Sequence, residues 1–519
     1  MAEPAETLAH LTRGAAERWG ERTAWTFDPP TADAPMVELT FVEVEAQTNQ
    51  VAHGLARLGV RPGDGVAVLL PNVVGWPLAW LGAAKAGAYT VPVNVRYRSA
   101  DAGHVLAHSG AVAIVTDLSD PELAALVDEI APTLAALRAV VSVDELIDGS
   151  PADPPAVRVT GDTLANVQYT SGTTGLPKGC MLSHGWFCLL GLLASEWVTR
   201  LDERDVLLTA QPFSYVDPPW NVVAGLHSGG RLVVLDGFHP STFWAKCAEH
   251  GATFFYCLGA MPTLLLAMPP APPDRAHSVR FVSCSAIPAH RHAELEERFG
   301  APWHELYGST ECGFDIIVTA AEHDDLVGSG LLGRPGPHRE VQVVGDDGRP
   351  LPHGETGELC MRGSGLFDGY FRDPDATALA LADGWYHTGD LATVDTQGRV
   401  RFAGRTKDMI RRGGENIAAA EVEAVLTDHP AVGLAACVGV PDDLRQEEVK
   451  AFVVPVDGIA SPDLDLEGLA EFAAARLAPF KVPRYWEARS ELPMTPSQRV
   501  AKHELAEDQP PAGWDSAET

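Results

Sequence analysis

From Thr40 onward the chain alternates amphipathic helical patterns with short, continuous apolar runs, and this rhythm narrows its possible folds more than any other feature. Phe41 to Leu58 repeats its apolar residues at helical spacing, Gly65 to Leu70 reads as a buried strand, Trp76 to Ala86 as a helix, and Tyr89 to Pro92 as a further strand. The same beat returns at Val112 to Thr116, Arg231 to Leu235, Phe254 to Leu258 and Arg280 to Ser283. Strands separated by helices must run parallel, so an α/β fold with layered sheets and helices is expected for residues 1–404. Beyond Arg405 the order changes: Glu421 to Thr427 and Leu466 to Leu477 read as helices, and Val432 to Val440 and Val449 to Val454 as strands. A small α+β domain over residues 405–519 is the expectation, with Gly404 to Asp408 as the joint.

Charge and apolar-run length remove several classes of function. The 519 residues carry 38 Lys plus Arg against 70 Asp plus Glu, a formal charge of −32, which excludes nucleic-acid binding through overall basicity. The longest apolar stretches, Trp186 to Ala194 and Thr253 to Met268, fall short of the roughly 18 residues a membrane span needs. Met1 to Gly20 carries Glu3, Glu6, Arg13, Glu17 and Arg18 with no apolar core, so no secretory signal is read there. The eight cysteines are scattered without a CxxC pair, which argues against a zinc site or a disulfide scaffold. Reduced thiols in a cytoplasmic protein are expected.

The chemistry concentrates in Tyr169-Thr-Ser-Gly-Thr-Thr-Gly-Leu-Pro-Lys-Gly179. Four hydroxyls (Thr170, Ser171, Thr173, Thr174), the glycines Gly172, Gly175 and Gly179, and Lys178 share one loop after the strand-like run Ala165 to Gln168. Glycines let backbone N–H groups approach oxygens, hydroxyls add hydrogen bonds, and the lysine supplies a point charge, so the loop suits a polyphosphate. It is not a Walker loop, because Pro177 and Gly179 flank the lysine where that motif needs Gly and Ser or Thr.

This loop resembles the phosphate loop of the adenylate-forming enzymes, the superfamily of acyl-CoA synthetases, luciferases and peptide-synthetase adenylation domains. Further motifs of that superfamily follow in order. Tyr307-Gly308-Ser309-Thr310-Glu311 is similar to the nucleotide motif, which implies Tyr307 at adenine, Thr310 at phosphate and Glu311 at Mg²⁺. Gly384-Trp-Tyr-His-Thr-Gly-Asp390 resembles the segment whose Asp390 equivalent binds the ribose hydroxyls. Gly404-Arg405-Thr406-Lys407-Asp408 resembles the hinge, implying Arg405 near ribose and Lys407 as pivot; Gly413 to Ile417 and Glu421 complete the series. The branch it resembles most is that of carnitine and crotonobetaine CoA ligases.

The resemblance implies ATP and Mg²⁺ as cofactors, activation of a small organic acid as an acyl adenylate, and CoA as acceptor. A basic cluster, Arg405, Lys407, Arg411 and Arg412, could meet the CoA phosphates. An alternative within the same superfamily is a diazotase of bacterial secondary metabolism, which takes nitrite, ATP and an aryl amine. No nucleic-acid or membrane partner is expected, and monomer and homodimer remain open. Two departures stand out. Where the family places a Gly-Lys pair that serves adenylation, this chain has Gln498 and Arg499; Arg499 keeps the charge in a planar, bidentate form, and Lys502 is the other candidate. In the acid-pocket region, Tyr215, Asp217 and Trp220 replace the usual residues; Asp217 could pair with an amino-bearing substrate or cap a helix.

Overall fold

The computed structural model describes residues 3–29, 35–170, 177–258, 261–412, 415–442, 445–456, 458–494, 500–506 and 514–516. The side chains of Lys407, Arg411, Glu415, Asn416, Gln446 and His503 also lie outside the description. The chain forms two compact units. The first comprises Met1–Val327, Gly333–Glu340 and Arg362–Tyr386, and the second Gly328–Leu332, Val341–Met361 and His387–Thr519.

The first unit is built on two sheets. In a six-stranded sheet, Gly65–Leu69 lies parallel to Tyr89–Pro92 and to Ala111–Thr116, and Tyr89–Pro92 lies parallel to Leu164–Thr170. In a nine-stranded sheet, Val206–Thr209, Phe254–Leu258, Phe281–Ser285 and Trp303–Ser309 run parallel in that order. Gly65–Leu69, Tyr89–Pro92 and Ala111–Thr116 are buried at every residue, as expected of parallel strands covered on both faces. The helix Phe41–Arg57 opens with a capping box in which Thr40 and Glu43 satisfy each other's backbone N–H. The helix Gly75–Lys85 is buried along its whole length, as its apolar sequence demands. The apolar run at Trp186 is a buried core helix, His184–Leu192. Among the described residues no helix is long and apolar enough to cross a membrane.

In both sheets the parallel pattern breaks at a motif of interest, and the nine-stranded sheet has further antiparallel pairs at its edges. Leu164–Thr170 turns back antiparallel into Lys178–Ser183, and Trp303–Ser309 turns back into Gly313–Ile317. A tight return needs no crossover helix, so in the second hairpin Thr310 and Glu311 lie in a turn at the end of the sheet.

The second unit holds most of a four-stranded sheet of Arg339–Val344, Gly357–Gly363, Tyr386–Val394 and Val400–Arg405. It also holds a six-stranded sheet centred on the hairpin Val432–Asp442 and Gln446–Pro455. The helices Ala419–Thr427 and Leu466–Ala474 cover that sheet around Val422, Leu426, Leu469 and Trp486. The second compact unit therefore begins before residue 405, because the four-stranded sheet packs with it. All eight cysteines are free and buried.

Candidate functional site

Ser171, Gly172, Thr173, Thr174 and Gly175 lie outside the described residues, as does Arg499. The residues flanking that segment are nonetheless fixed: Thr170 and Lys178 pair directly across the hairpin. Lys178 Nζ lies 5.1 Å from the centre of the Tyr370 ring. The backbone beside it is held by a second chain segment, with Phe371 N–H donating to Gly179 O (2.7 Å) and Met181 N–H to Gly369 O (2.9 Å).

Tyr307, Gly308 and Ser309 end one strand of the second hairpin, and Thr310 and Glu311 lie in its turn. Gly308 is required there, since a Cβ would stand 2.0 Å from Gly313 O on the returning strand. The Glu311 carboxylate is oriented by two hydroxyls: Ser309 Oγ donates to Oε2 (2.8 Å) and Tyr370 Oη to Oε1 (3.2 Å). Its backbone oxygen accepts from Phe367 N–H (2.7 Å). Burial, and then the Glu311 charge, push the Tyr370 phenol up, so it stays a donor. Each carboxylate oxygen thus meets one hydroxyl donor and keeps lone pairs, on a partly exposed residue. A hard oxygen ligand of this kind suits Mg²⁺, which takes one or two carboxylates and completes its shell with phosphate and water.

Earlier on the same strand as Tyr307, Glu305 is buried and accepts the N–H groups of Ala286 (2.7 Å) and Ile287 (2.9 Å). Burial pushes its carboxyl up to about 8, against the two backbone donors. Those donors hold Ala286 at φ 72°, a left-handed backbone unusual for alanine.

Of the acid-pocket candidates, Tyr215 and Asp217 share a neighbourhood with Tyr256. Asn94 Nδ2 donates to Tyr215 Oη at 3.4 Å, and burial pushes the Tyr215 phenol up to about 12. Asp217 opens the helix Asp217–Ser228 as its first residue; the capping position is Val216, so Asp217 acts on the helix dipole and not as the cap. Its charge, after burial, raises the Tyr256 phenol, whose O–H lies 2.9 Å from Ser285 Oγ. Trp220 is 2% exposed, with ring centres 4.6 Å from Phe314 and 5.6 Å from Tyr256, which makes it a wall of the core.

In the second unit, Asp390 and Arg405 pair across adjacent strands, with Nε 3.1 Å from Oδ1. The approach to Asp390 is shaped by Glu358, which accepts the Gly389 N–H (3.1 Å) and lies 2.8 Å from His387 Nδ1. Gly389 adopts φ 70°, and Asp390 N–H donates to Thr388 Oγ1 (3.0 Å). Lys407 lies in the short turn Thr406–Asp408. Lys502 Nζ is held by Glu423 (2.7 Å) and Asp408 (3.5 Å); burial opposes its charge, but these carboxylates more than offset it and its pKa is raised. Arg412, grouped above with cations for CoA, is turned inward onto Glu448 and donates to Phe480 O. Buried pairing thus removes it from that cluster.

Tyr370 and Glu358 escape a motif reading, because neither adjoins a recognised motif. Their only signal is the Gly369-Tyr370 pair and a glutamate after a glycine, which are common features.

The AMP-binding enzyme family matches residues 12–371, and the AMP-binding enzyme C-terminal domain matches residues 421–499. A feruloyl-CoA synthase of Amycolatopsis is 35% identical over 474 residues, covering 90% of this chain and 93% of that protein. A crotonobetaine/carnitine–CoA ligase of Escherichia coli is 33% identical over 511 residues, covering 94% and 97%. Among solved structures, a benzoate CoA ligase from Burkholderia xenovorans superposes with a TM-score of 0.86 at 26% identity, covering 97% of this chain and 100% of that one. An anthranilate CoA ligase in complex with anthranoyl-AMP reaches a TM-score of 0.87 at 25% identity, covering 97% of both chains. Two ordered motif hairpins, a carboxylate held by hydroxyls and a family match over most of the chain lead to one conclusion: the protein belongs to the AMP-binding, adenylate-forming superfamily as an ATP-dependent, AMP-forming ligase of the acyl-CoA synthetase type.

Proposed function

We propose that this ligase activates a small organic acid as its acyl adenylate and passes the acyl group to the thiol of CoA. The observation that carries this reading is the pairing of Lys178 with Thr170 at the mouth of the phosphate loop, with the hydroxyl-held Glu311 tied to the same chain segment.

A carboxylate is a poor electrophile. In the first step one of its oxygens attacks the α-phosphorus of ATP, the bond to the β-phosphate bridge breaks, and pyrophosphate leaves. The protein's task is to stabilise negative charge on the phosphates in that transition state. Thr170, Ser171, Gly172, Thr173, Thr174 and Gly175 cradle the β- and γ-phosphates, Lys178 supplies a cation, and Thr310 donates to phosphate. Mg²⁺, held by Glu311, would neutralise phosphate charge. Tyr307, Gly308 and Ser309 face adenine, and Asp390 with Arg405 takes the ribose. In the second step the thiol sulfur attacks the acyl carbon and AMP leaves. We place the functional domain boundary near residue 404, inside the second compact unit, with Lys407 as pivot of a C-terminal lid made of residues 405–519. Arg499 takes the adenylation role in preference to Lys502, because the Lys502 ammonium is already shared by two carboxylates.

For the acid, the Asp217 carboxylate beside the Tyr256 and Tyr215 phenols favours an aryl acid bearing a hydrogen-bond donor. Relatives named for feruloyl and anthranilate substrates share that chemistry. The test is AMP and pyrophosphate release with hydroxy- and amino-aryl acids, plain aryl acids and betaines, each with and without CoA. CoA-dependent AMP release with a thioester product supports the reading. Amine loss that needs nitrite and ATP, with no thioester formed, overturns it in favour of diazotisation.

A further inference from the structure

We propose that Tyr370 is a positioning residue for adenylation, holding the Glu311 carboxylate with its hydroxyl and the Lys178 ammonium with its ring. The inference rests on the reading of Glu311 as the Mg²⁺ ligand and Lys178 as a phosphate cation.

Three observations converge on this one side chain. Its hydroxyl donates to Glu311 Oε1 at 3.2 Å, while the other carboxylate oxygen takes the Ser309 hydroxyl, so the plane of the carboxylate is set from two directions. Its ring lies 5.1 Å from Lys178 Nζ, within the range of a cation–π contact. Its backbone belongs to a segment that binds both neighbours. Phe367 N–H holds the Glu311 carbonyl (2.7 Å), while Asp368 N–H donates to Met181 O (2.9 Å) and Phe371 N–H to Gly179 O (2.7 Å), beside Lys178. The ring is further fixed by Phe367, 4.9 Å away, and the Tyr370 N–H by Thr377 Oγ1 at 2.8 Å.

The chemical consequence concerns charge. A lysine and a glutamate brought to one place tend to form an ion pair, which would spend both charges on each other. A phenol offers each a neutral partner: the π face for the cation and the O–H for the anion. Neither contact cancels a formal charge, so carboxylate and ammonium stay available to metal and phosphate.

Isothermal titration of ATP into the full-length protein, with Mg²⁺ and again with EDTA, reads this without turnover. Glu311→Gln serves as the control and should lose the Mg²⁺-dependent gain in affinity. Tyr370→Phe keeps the ring and removes the hydroxyl; it should leave the EDTA affinity unchanged and cut the Mg²⁺ gain about tenfold, the scale of one hydrogen bond to a charged group. Tyr370→Leu should in addition weaken ATP binding in EDTA about threefold through loss of the cation–π contact. If Glu311→Gln loses the gain while Tyr370→Phe keeps it, Tyr370 does not position the carboxylate. If Tyr370→Phe lowers the melting temperature and weakens both titrations equally, its role is structural and the proposal is overturned. If Glu311→Gln keeps the gain, the underlying metal reading is what has failed.

Discussion

Two charged groups of the first unit are held differently from the charges of the second. In the first, Lys178 meets an aromatic face and Glu311 two hydroxyls, although other charges there, Lys85 with Glu45 and Arg339 with Asp315, form ion pairs. In the second, the prominent charges meet opposite charges: Asp390 with Arg405, Lys502 with Glu423 and Asp408, Arg412 with Glu448, and Lys450 with Glu487. A neutral partner orients a charge without cancelling it, which suits a group that must answer new charge on a ligand. A buried ion pair such as Arg412 with Glu448 holds a geometry but leaves little field for a substrate, and separating it is costly; Asp390 with Arg405, partly exposed, is proposed to meet the uncharged ribose. The contrast fits the proposal that Lys178 and Glu311 answer phosphate and metal charge.

That contrast can be broken, most decisively at its strongest point. Lys178→Ala and Glu311→Ala should each lower kcat/KM for pyrophosphate release about 100- to 1,000-fold, with melting temperatures close to wild type. Unfolding at lower temperature with activity retained would place these residues among the structural charges instead. Next, Lys502→Met should destabilise the protein by about 3 kcal/mol in denaturant titration, because Glu423 loses its buried partner. Adenylation at a temperature where the variant is folded should persist; its collapse would move the adenylation role from Arg499 to Lys502.

Arg499→Ala sharpens the same point from the other side. It should slow adenylation about 30-fold, the scale of one charge-assisted contact, while thioester formation from supplied acyl adenylate changes less. Equal losses in both half reactions would remove it from the adenylation step. The effect smallest in activity concerns Glu305, which acts on stability alone. Its folded pKa, raised from 4.5 to about 8, makes its contribution to stability fully present below pH 4.5 and progressively lost as pH rises toward 8. Glu305→Gln should therefore flatten the fall in stability between pH 5 and 8, by up to about 1.4 kcal/mol per pH unit. An unaltered slope would show that the two backbone donors keep this carboxylate ionised.

Much of the fold was legible because its signals are local. The strands Tyr89–Pro92 and Phe254–Leu258 and the helix from Phe41 stand where their periodicity put them, since a helix face or a buried strand is written in adjacent residues. The surroundings of Trp220 escape the sequence for the opposite reason. Phe314, from a strand nearly a hundred residues away, packs edge-on against the indole. Arg412 likewise reads as one of a basic cluster until Glu448, on another strand, claims it.

By itself the sequence determined the alternation that makes parallel sheets, the order of the motifs, and the residue types placed in each turn. Periodicity, capping and turn chemistry act over a few residues, so they can be read along the chain. Only the tertiary structure decided which charges are spent and which are kept. Tyr370 reaches Glu311 across 59 positions and Lys178 across far more, and Glu423 meets Lys502 from a separate helix. Such encounters depend on how sheets fold back on themselves, and a charge's availability is set by whatever neighbour that folding brings.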